Sequence, residues 1–188
     1  LSIPRFAPAA FRIYKISFKE MPLKKNILIF IIGAAVIVIL DQITKAAIVQ
    51  RFDIHESYPV IDGFFNLVYV MNRGAAFGFL ANMSETFRYI FFTGITLAVI
   101  GLIIYYIVKS ESQSMLLIIS LTMIFGGAVG NLIDRVRFGA VVDFLDVYLG
   151  FTSLPHWPAF NVADSAITVG AVLMIWGMIV QHKAETAS

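Results

Sequence analysis

The chain of 188 residues contains no cysteine, which removes disulfides, thiolate nucleophiles and cysteine-type zinc sites together. Charge is scarce as well: 14% of residues are Asp, Glu, Lys or Arg, against roughly 25% in a soluble domain. The three histidines, His55, His156 and His182, stand far apart, and no His-Glu-x-x-His occurs, so the pattern of a helix-borne zinc protease is missing. A Gly-x-Ser-x-Gly elbow and a glycine-rich phosphate loop are missing too. The net charge of +2 is too small to imply nucleic acid.

What the chain has in abundance is apolar surface: 59% of residues are hydrophobic, and the mean hydropathy is +0.84. A soluble domain of this length could not hide that much, so the sequence describes a membrane protein of one domain. A spanning helix needs roughly 20 apolar residues. Four segments qualify, at about 27–49, 87–108, 115–133 and 160–180. Six of the 14 basic residues (Arg5, Arg12, Lys15, Lys19, Lys24 and Lys25) precede the first span, against one acid, Glu20. That bias places the N-terminus in the cytoplasm. Four spans return the C-terminus to the same side and leave two long connections, about 50–86 and 134–159, outside. The expected organisation is a basic cytoplasmic extension at 1–25, a four-helix membrane domain at 26–182 and a cytoplasmic tail at 183–188. No small-residue cleavage site follows the first apolar run, which argues against a cleaved signal peptide. Residues 1–20 are expected to be an upstream extension or an artefact of a misassigned start, because Met21-Pro-Leu-Lys-Lys resembles a more usual start.

The first outer connection reads as sheet. Residues 58–61 and 64–70 are β-prone and flank Asp62-Gly63, a two-residue hairpin signal. In the second, residues 140–148 are apolar except for Asp143 and Asp146, and Trp157 suits an interfacial anchor. The fold class is therefore a mainly α membrane protein: four transmembrane helices with a small β-hairpin or sheet outside.

Ionisable residues inside a span are costly and are functional candidates by default. At about 1.5 Å of rise per residue, Asp41 lies about 21 Å, Asn131 about 24 Å and Asp134 about 28 Å above the inner edge of a roughly 30 Å core. Asn161 and Asp164 open the fourth span within about 6 Å of its outer end. Three helices thus bring polar groups to one boundary, the side on which Asn72 and Asp143 also start. Asn161, Asp164 and Thr168 share one helix face, and Gly126 and Gly130 form a G-x-x-x-G pair that permits close helix approach. Each residue also has a purely structural reading. Asn161 can serve as an N-cap, Asp134 can pair with Arg135 or Arg137, and Asp41 with Lys45 is an i, i+4 ion pair. Asp53, Asp62 and Asp146 read as solvated loop acids. Two aspartates held close share a proton and can activate water between them, which needs neither metal nor cofactor.

Five segments then become specific in combination: Asp41-Gln42-Ile43-Thr44-Lys45, Asn72-Arg73-Gly74-Ala75-Ala76-Phe77-Gly78, Gly126-Gly127-Ala128-Val129-Gly130-Asn131-Leu132-Ile133-Asp134-Arg135, Val141-Val142-Asp143-Phe144 and Phe160-Asn161-Val162-Ala163-Asp164-Ser165. In this order, over about residues 24–182, the chain resembles the bacterial lipoprotein signal peptidases (signal peptidase II), four-helix aspartyl endopeptidases of the inner membrane. The resemblance implies cleavage of a diacylglyceryl-modified prolipoprotein immediately before its lipidated cysteine. It implies Asp143 and Asp164 as the catalytic dyad, with Asp41, Lys45, Asn72, Gly74, Asn131, Asp134, Arg135 and Asn161 in supporting or substrate-binding positions. It further implies an outer β-cradle at about 53–80, no metal, and a monomer whose partners are lipidated prolipoproteins and membrane lipid. The rival reading is a transport protein that uses the same carboxylates for protons or cations; a non-catalytic scaffold leaves the shared depth of Asp, Asn and Arg unexplained.

Overall fold

The computed structural model of the protein describes residues 20–74, 80, 82–109, 112–148 and 157–186. Four helices are long and apolar enough to cross a membrane, as the hydropathy predicts. They are α1 (Leu23–Arg51), α2 (Glu85–Lys109), α3 (Met115–Phe138) and α4 (Val162–Thr186). Each runs past the C-terminal end of its apolar core, so both outer connections begin later than expected, at 52 and 139; the first ends earlier, at 84, and the second later, at 161. α4 runs through residues 183–186, which were expected to form a tail.

α3 is the hub, packed by α4 and α1 most closely and by α2 as well. Glycines explain why. A Cβ at Gly126 would lie 2.9 Å from the Ile37 Cβ of α1, and one at Gly127 would lie 2.4 Å from the Ala163 carbonyl oxygen of α4. Two adjacent glycines therefore serve two different partners. Away from the sheet the bundle closes on Phe30, Ile103, Ile107, Ile118 and Leu121, with Phe30 and Phe125 in ring contact at 4.8 Å. Elsewhere Ile31, Ile43, Leu102, Val108 and Met178 are exposed, as suits side chains whose solvent is lipid. α3 starts at Ser114, whose hydroxyl accepts from the Leu117 N–H at 3.2 Å. It ends at Gly139, in the left-handed conformation common after a helix.

At one end of the bundle sits an antiparallel sheet in the order β2 (Ser57–Ile61), β3 (Phe65–Asn72), β5 (Val141–Val147). The expected hairpin is there, with a three-residue loop in place of a two-residue one. Ile61 pairs with Phe65, and Gly63 takes a positive φ of 76°, drawing Phe64 into the turn. In β5, Val142 and Phe144 pack with Ile48 and Tyr69, so strand alternation turns Asp143 to the opposite face. At the other end, β1 (Glu20–Pro22) pairs with β4 (Ser112–Ser114). This two-stranded sheet has no counterpart in the sequence reading. Residues 1–19, 75–79 and 149–156, which include part of the Asn72–Gly78 motif, lie outside the described residues.

Candidate active site

The site begins with how α4 starts. Asn161 precedes its first turn, and its Oδ1 accepts from the Asp164 N–H at 2.8 Å. The Asn161 N–H in turn donates to Asp164 Oδ2 at 3.3 Å. This reciprocal pair is a capping box with Asp in the third helical position, and it fixes the Asp164 carboxylate by local backbone geometry. The N-cap reading of Asn161 is thus right but incomplete. Its Nδ2 also donates to Asp143 Oδ1 at 2.7 Å, with longer contacts of 3.2 Å to Asn131 Oδ1 and to the Val142 carbonyl. One buried asparagine therefore touches both aspartates.

Two more asparagines complete the arrangement. Asn131 Nδ2, on α3, donates to Asp164 Oδ1 at 2.7 Å. Asn72 Nδ2, at the end of β3, donates to Asp143 Oδ2 at 2.8 Å. The Asn72 Oδ1 is engaged by the Gly74 N–H at 2.8 Å. Gly74 has a positive φ of 87°, and a Cβ there would meet the Phe92 ring at 2.3 Å, so the turn that holds Asn72 requires glycine. Asp143 is 1% exposed, whereas Asp164 is half-buried and keeps an approach open.

Asp143 lies in the sheet, beyond the spans. Burial, and next the charge of Asp164, push its carboxyl up to about 7, against the opposing pull of the Asn72 and Asn161 amides and of Lys45. A carboxyl in that range can hold or release a proton near neutrality.

Behind this pair lies a second acidic group with a cation in it. Lys45 Nζ pairs with Asp41 Oδ2 at 2.9 Å and Asp134 Oδ2 at 2.8 Å, and it donates to Asn131 Oδ1 at 2.9 Å. Asp134 therefore pairs with Lys45, and the alternative partners Arg135 and Arg137 drop out. The two carboxylates also accept backbone N–H groups: Ala163 on Asp41 Oδ1 and Val142 on Asp134 Oδ2, each at 3.0 Å. Half-buried Arg135 donates weakly to Thr96 Oγ1 at 3.5 Å, and its charge faces Asp164, Asp143 and Asp134.

All ten candidate residues thus fall in one network or against it. Its architecture has known counterparts. The model of the Signal peptidase (SPase) II family matches residues 33–180. The chain belongs to the signal peptidase II family. It is 48% identical over 164 residues to the lipoprotein signal peptidase of Syntrophus aciditrophicus (strain SB), covering 87% of this chain and 100% of that protein. With the lipoprotein signal peptidase of Desulforapulum autotrophicum it shares 49% over 146 residues, 78% of this chain and 88% of the other. A bacterial membrane enzyme solved by the in meso method at 2.3 Å resolution superposes with a TM-score of 0.69 at 35% identity, covering 80% of this chain and 87% of that one.

Three features of this signal peptidase II chain escaped the sequence. Gln42, next to Asp41, donates to Asp134 Oδ1 at 3.0 Å and to the Gly130 carbonyl at 3.2 Å, tying α1 to α3. Its position beside a buried acid was the available signal. Thr96 and Phe92, which meet Arg135 and a Cβ placed at Gly74, carry no signal in an apolar span. Asp146 is a correction: it is not a solvated loop acid but buried, accepting from Asn66 Nδ2 at 2.8 Å across the β3–β5 pair. Asp53 and Asp62 are exposed, as expected.

Proposed function

We propose that the chain is an aspartic endopeptidase that removes the signal peptide from diacylglyceryl-modified prolipoproteins, cleaving immediately before the lipidated cysteine. The observation that carries this reading is the pairing of Asp143 and Asp164 through Asn161, with one acid buried and the other open. Asp143, pushed towards neutrality by burial, is the protonated partner, and Asp164, held by the capping box and Asn131, is the base. Asp164 takes a proton from water as the water oxygen bonds to the scissile carbonyl carbon. Asp143 gives its proton to the carbonyl oxygen, so a gem-diol forms. Asp164 then protonates the amide nitrogen and the C–N bond breaks. A gem-diol hydroxyl returns its proton to Asp143, which leaves a new carboxyl on the signal peptide and a free amine on the cysteine. Arg135 offsets the charge on Asp164.

The reaction is placed at the outer face of the bacterial inner membrane, with both termini of this multi-pass monomer in the cytoplasm. The transport reading finds no support in the other half of the bundle. Among the described residues, every buried acid or lysine (Asp41, Lys45, Asp134, Asp143 and Asp146) lies at the sheet end.

Purified protein in detergent is expected to release the signal peptide from a lipidated prolipoprotein and to leave the unlipidated precursor intact. Absence of cleavage by folded enzyme would overturn the reading. Reporter fusions after Leu80 and Gly150 should report outside and after Ser112 inside; a cytoplasmic readout at Gly150 would overturn the orientation.

A further inference from the structure

We infer that Lys45 is a positioning residue for both members of the dyad, acting through three arms that end on or beside Asp143 and Asp164. This rests on the dyad reading above. An ammonium has three donors and no acceptor, and all three are spent here, on Asp41, Asp134 and Asn131. Asp41 receives the N–H of Ala163, the residue just before Asp164. Asp134 receives the N–H of Val142, the residue just before Asp143. The cluster therefore grips the backbone one residue ahead of each dyad carboxylate, from two different elements.

The third arm reaches a side chain. Asn131 Oδ1 accepts from Lys45 Nζ and from Asn161 Nδ2, while its Nδ2 donates to Asp164 Oδ1. Flipping this amide would set its NH₂ against the ammonium and its oxygen against the Asp164 carboxylate. Two attractive contacts would become two repulsive ones, so Lys45 fixes which end of the amide Asp164 meets. Lys45 is 3% exposed and Asp41 and Asp134 are 0% and 1% exposed, so the cluster is held by protein partners on every side that the hydrogen bonds reach. An ion pair this deep is weak evidence of stabilisation, since desolvation offsets much of its attraction. Control of geometry accounts better for its place.

The test is kinetic. Lys45→Met keeps the length of the stem but leaves two carboxylates unbalanced, so Lys45→Met/Asp41→Asn is made beside it; that pair restores the net charge and keeps an acceptor for Ala163. In folded enzyme on lipidated substrate, kcat should fall on the order of 10²-fold, the effect of misplacing a reacting group by about 1 Å, with KM unchanged. The charged groups facing Lys45 are Asp41 on α1, Asp134 on α3, Asp143 on β5 and Asp164 on α4; Arg135 on α3 faces the last three of these acids, and Arg137 lines a cavity with Lys45. Losing the cation removes a pull that favours the ionised Asp143, so the alkaline limb of kcat should move to higher pH, which lost stability alone would not do. Asn131→Ala, with the ion cluster intact, should lower kcat at constant KM, and adding it to Lys45→Met should cost less than the two losses multiplied. Native kcat and pH profile in folded Lys45→Met/Asp41→Asn, or native kcat in Asn131→Ala, would overturn the inference. An active Asp143→Asn would overturn the dyad reading instead.

Discussion

Two pairs of aspartates lie side by side at the sheet end of the bundle, and they are held in opposite ways. Asp41 and Asp134 share the ammonium of Lys45 and are buried. Among the described residues no cation is in direct contact with Asp143 or Asp164; their oxygens meet the amides of Asn72, Asn131 and Asn161. An ammonium cancels the charge of a carboxylate that it meets, whereas an amide N–H orients a carboxylate without cancelling its charge. The difference teaches where chemistry can reside: the oxygens of the cation-held pair are taken up by the ammonium and by backbone N–H groups, whereas the amide-held pair includes Asp164, which is only half-buried and open to approach.

The comparison breaks most visibly under substitution. Asp143→Asn and Asp164→Asn should each lose at least about 10²–10⁴ in cleavage rate, the typical worth of one positioned proton-transfer group. The double variant should be scarcely worse than either single one, because residues acting as a unit are strongly non-additive. Cleavage of lipidated substrate by folded, membrane-inserted variants measures this. Near-normal activity in Asp143→Asn together with a dead Asp134→Asn would exchange the roles of the two pairs.

The pH profile is the next discriminator. With Asp143 raised to about 7 by burial and by Asp164, its proton is present below that pH and lost above it. If Asp143 is the protonated partner, kcat should be sustained on the acidic side of neutrality and fall about tenfold per pH unit well above 7. A profile still rising through pH 8 would instead make Asp143 the base.

For Asp134, the member of the compensated pair that grips Val142, a loss of stability is expected beside a loss of rate. That loss of rate should be smaller than for either dyad acid, because an amide oxygen can still accept from the Val142 N–H. Asp134→Asn removes one of the two carboxylates on Lys45 but leaves Asp41 in place. The cost should therefore stay below the about 3–5 kcal/mol of leaving a buried charge wholly unpaired. Thermal unfolding in detergent reads it, and an unchanged midpoint would mean that the pair adds nothing to the fold.

Much of this was legible because a membrane makes polar residues conspicuous. Asp41, Asn131, Asp134, Asn161 and Asp164 stood out as expensive groups at one depth of three spans, and the structure joins them. The pairing inside that set was not legible: Asp41 with Lys45 follows from i, i+4 spacing, but nothing in the sequence says that Asp134, 89 positions after Lys45, completes the cluster. β5 hid for a different reason. Val-Val-Asp-Phe-Leu-Asp-Val is buried on both faces for most of its length, so it lacks the alternation that marks a strand. Asp146 was misread because its partner Asn66 lies 80 residues away. β1 and β4, at three residues each, are too short to leave a periodicity.

The smallest effect sharpens the same contrast at the level of packing. Gly130 lies where α3 faces the compensated pair: a Cβ there would be 2.6 Å from Asp41 Oδ2, an oxygen that Lys45 already holds. Gly127, one turn earlier, would meet the backbone oxygen of Ala163 at 2.4 Å, which cannot move without shifting the start of α4. Gly101, in α2, has nothing within 4 Å of its added Cβ. Alanine at Gly127 or Gly130 should cost about 1–3 kcal/mol, the range for overpacking a well-filled interior. Alanine at Gly101 should stay within about 0.5 kcal/mol of the parent. Activity separates the first two further. Gly127→Ala pushes on the backbone ahead of Asp164 and should lower kcat in the folded fraction, whereas Gly101→Ala should leave it alone. Equal stabilities for all three variants would mean that α3 is not seated on its neighbours by its glycines, and that the acids meet for some other reason.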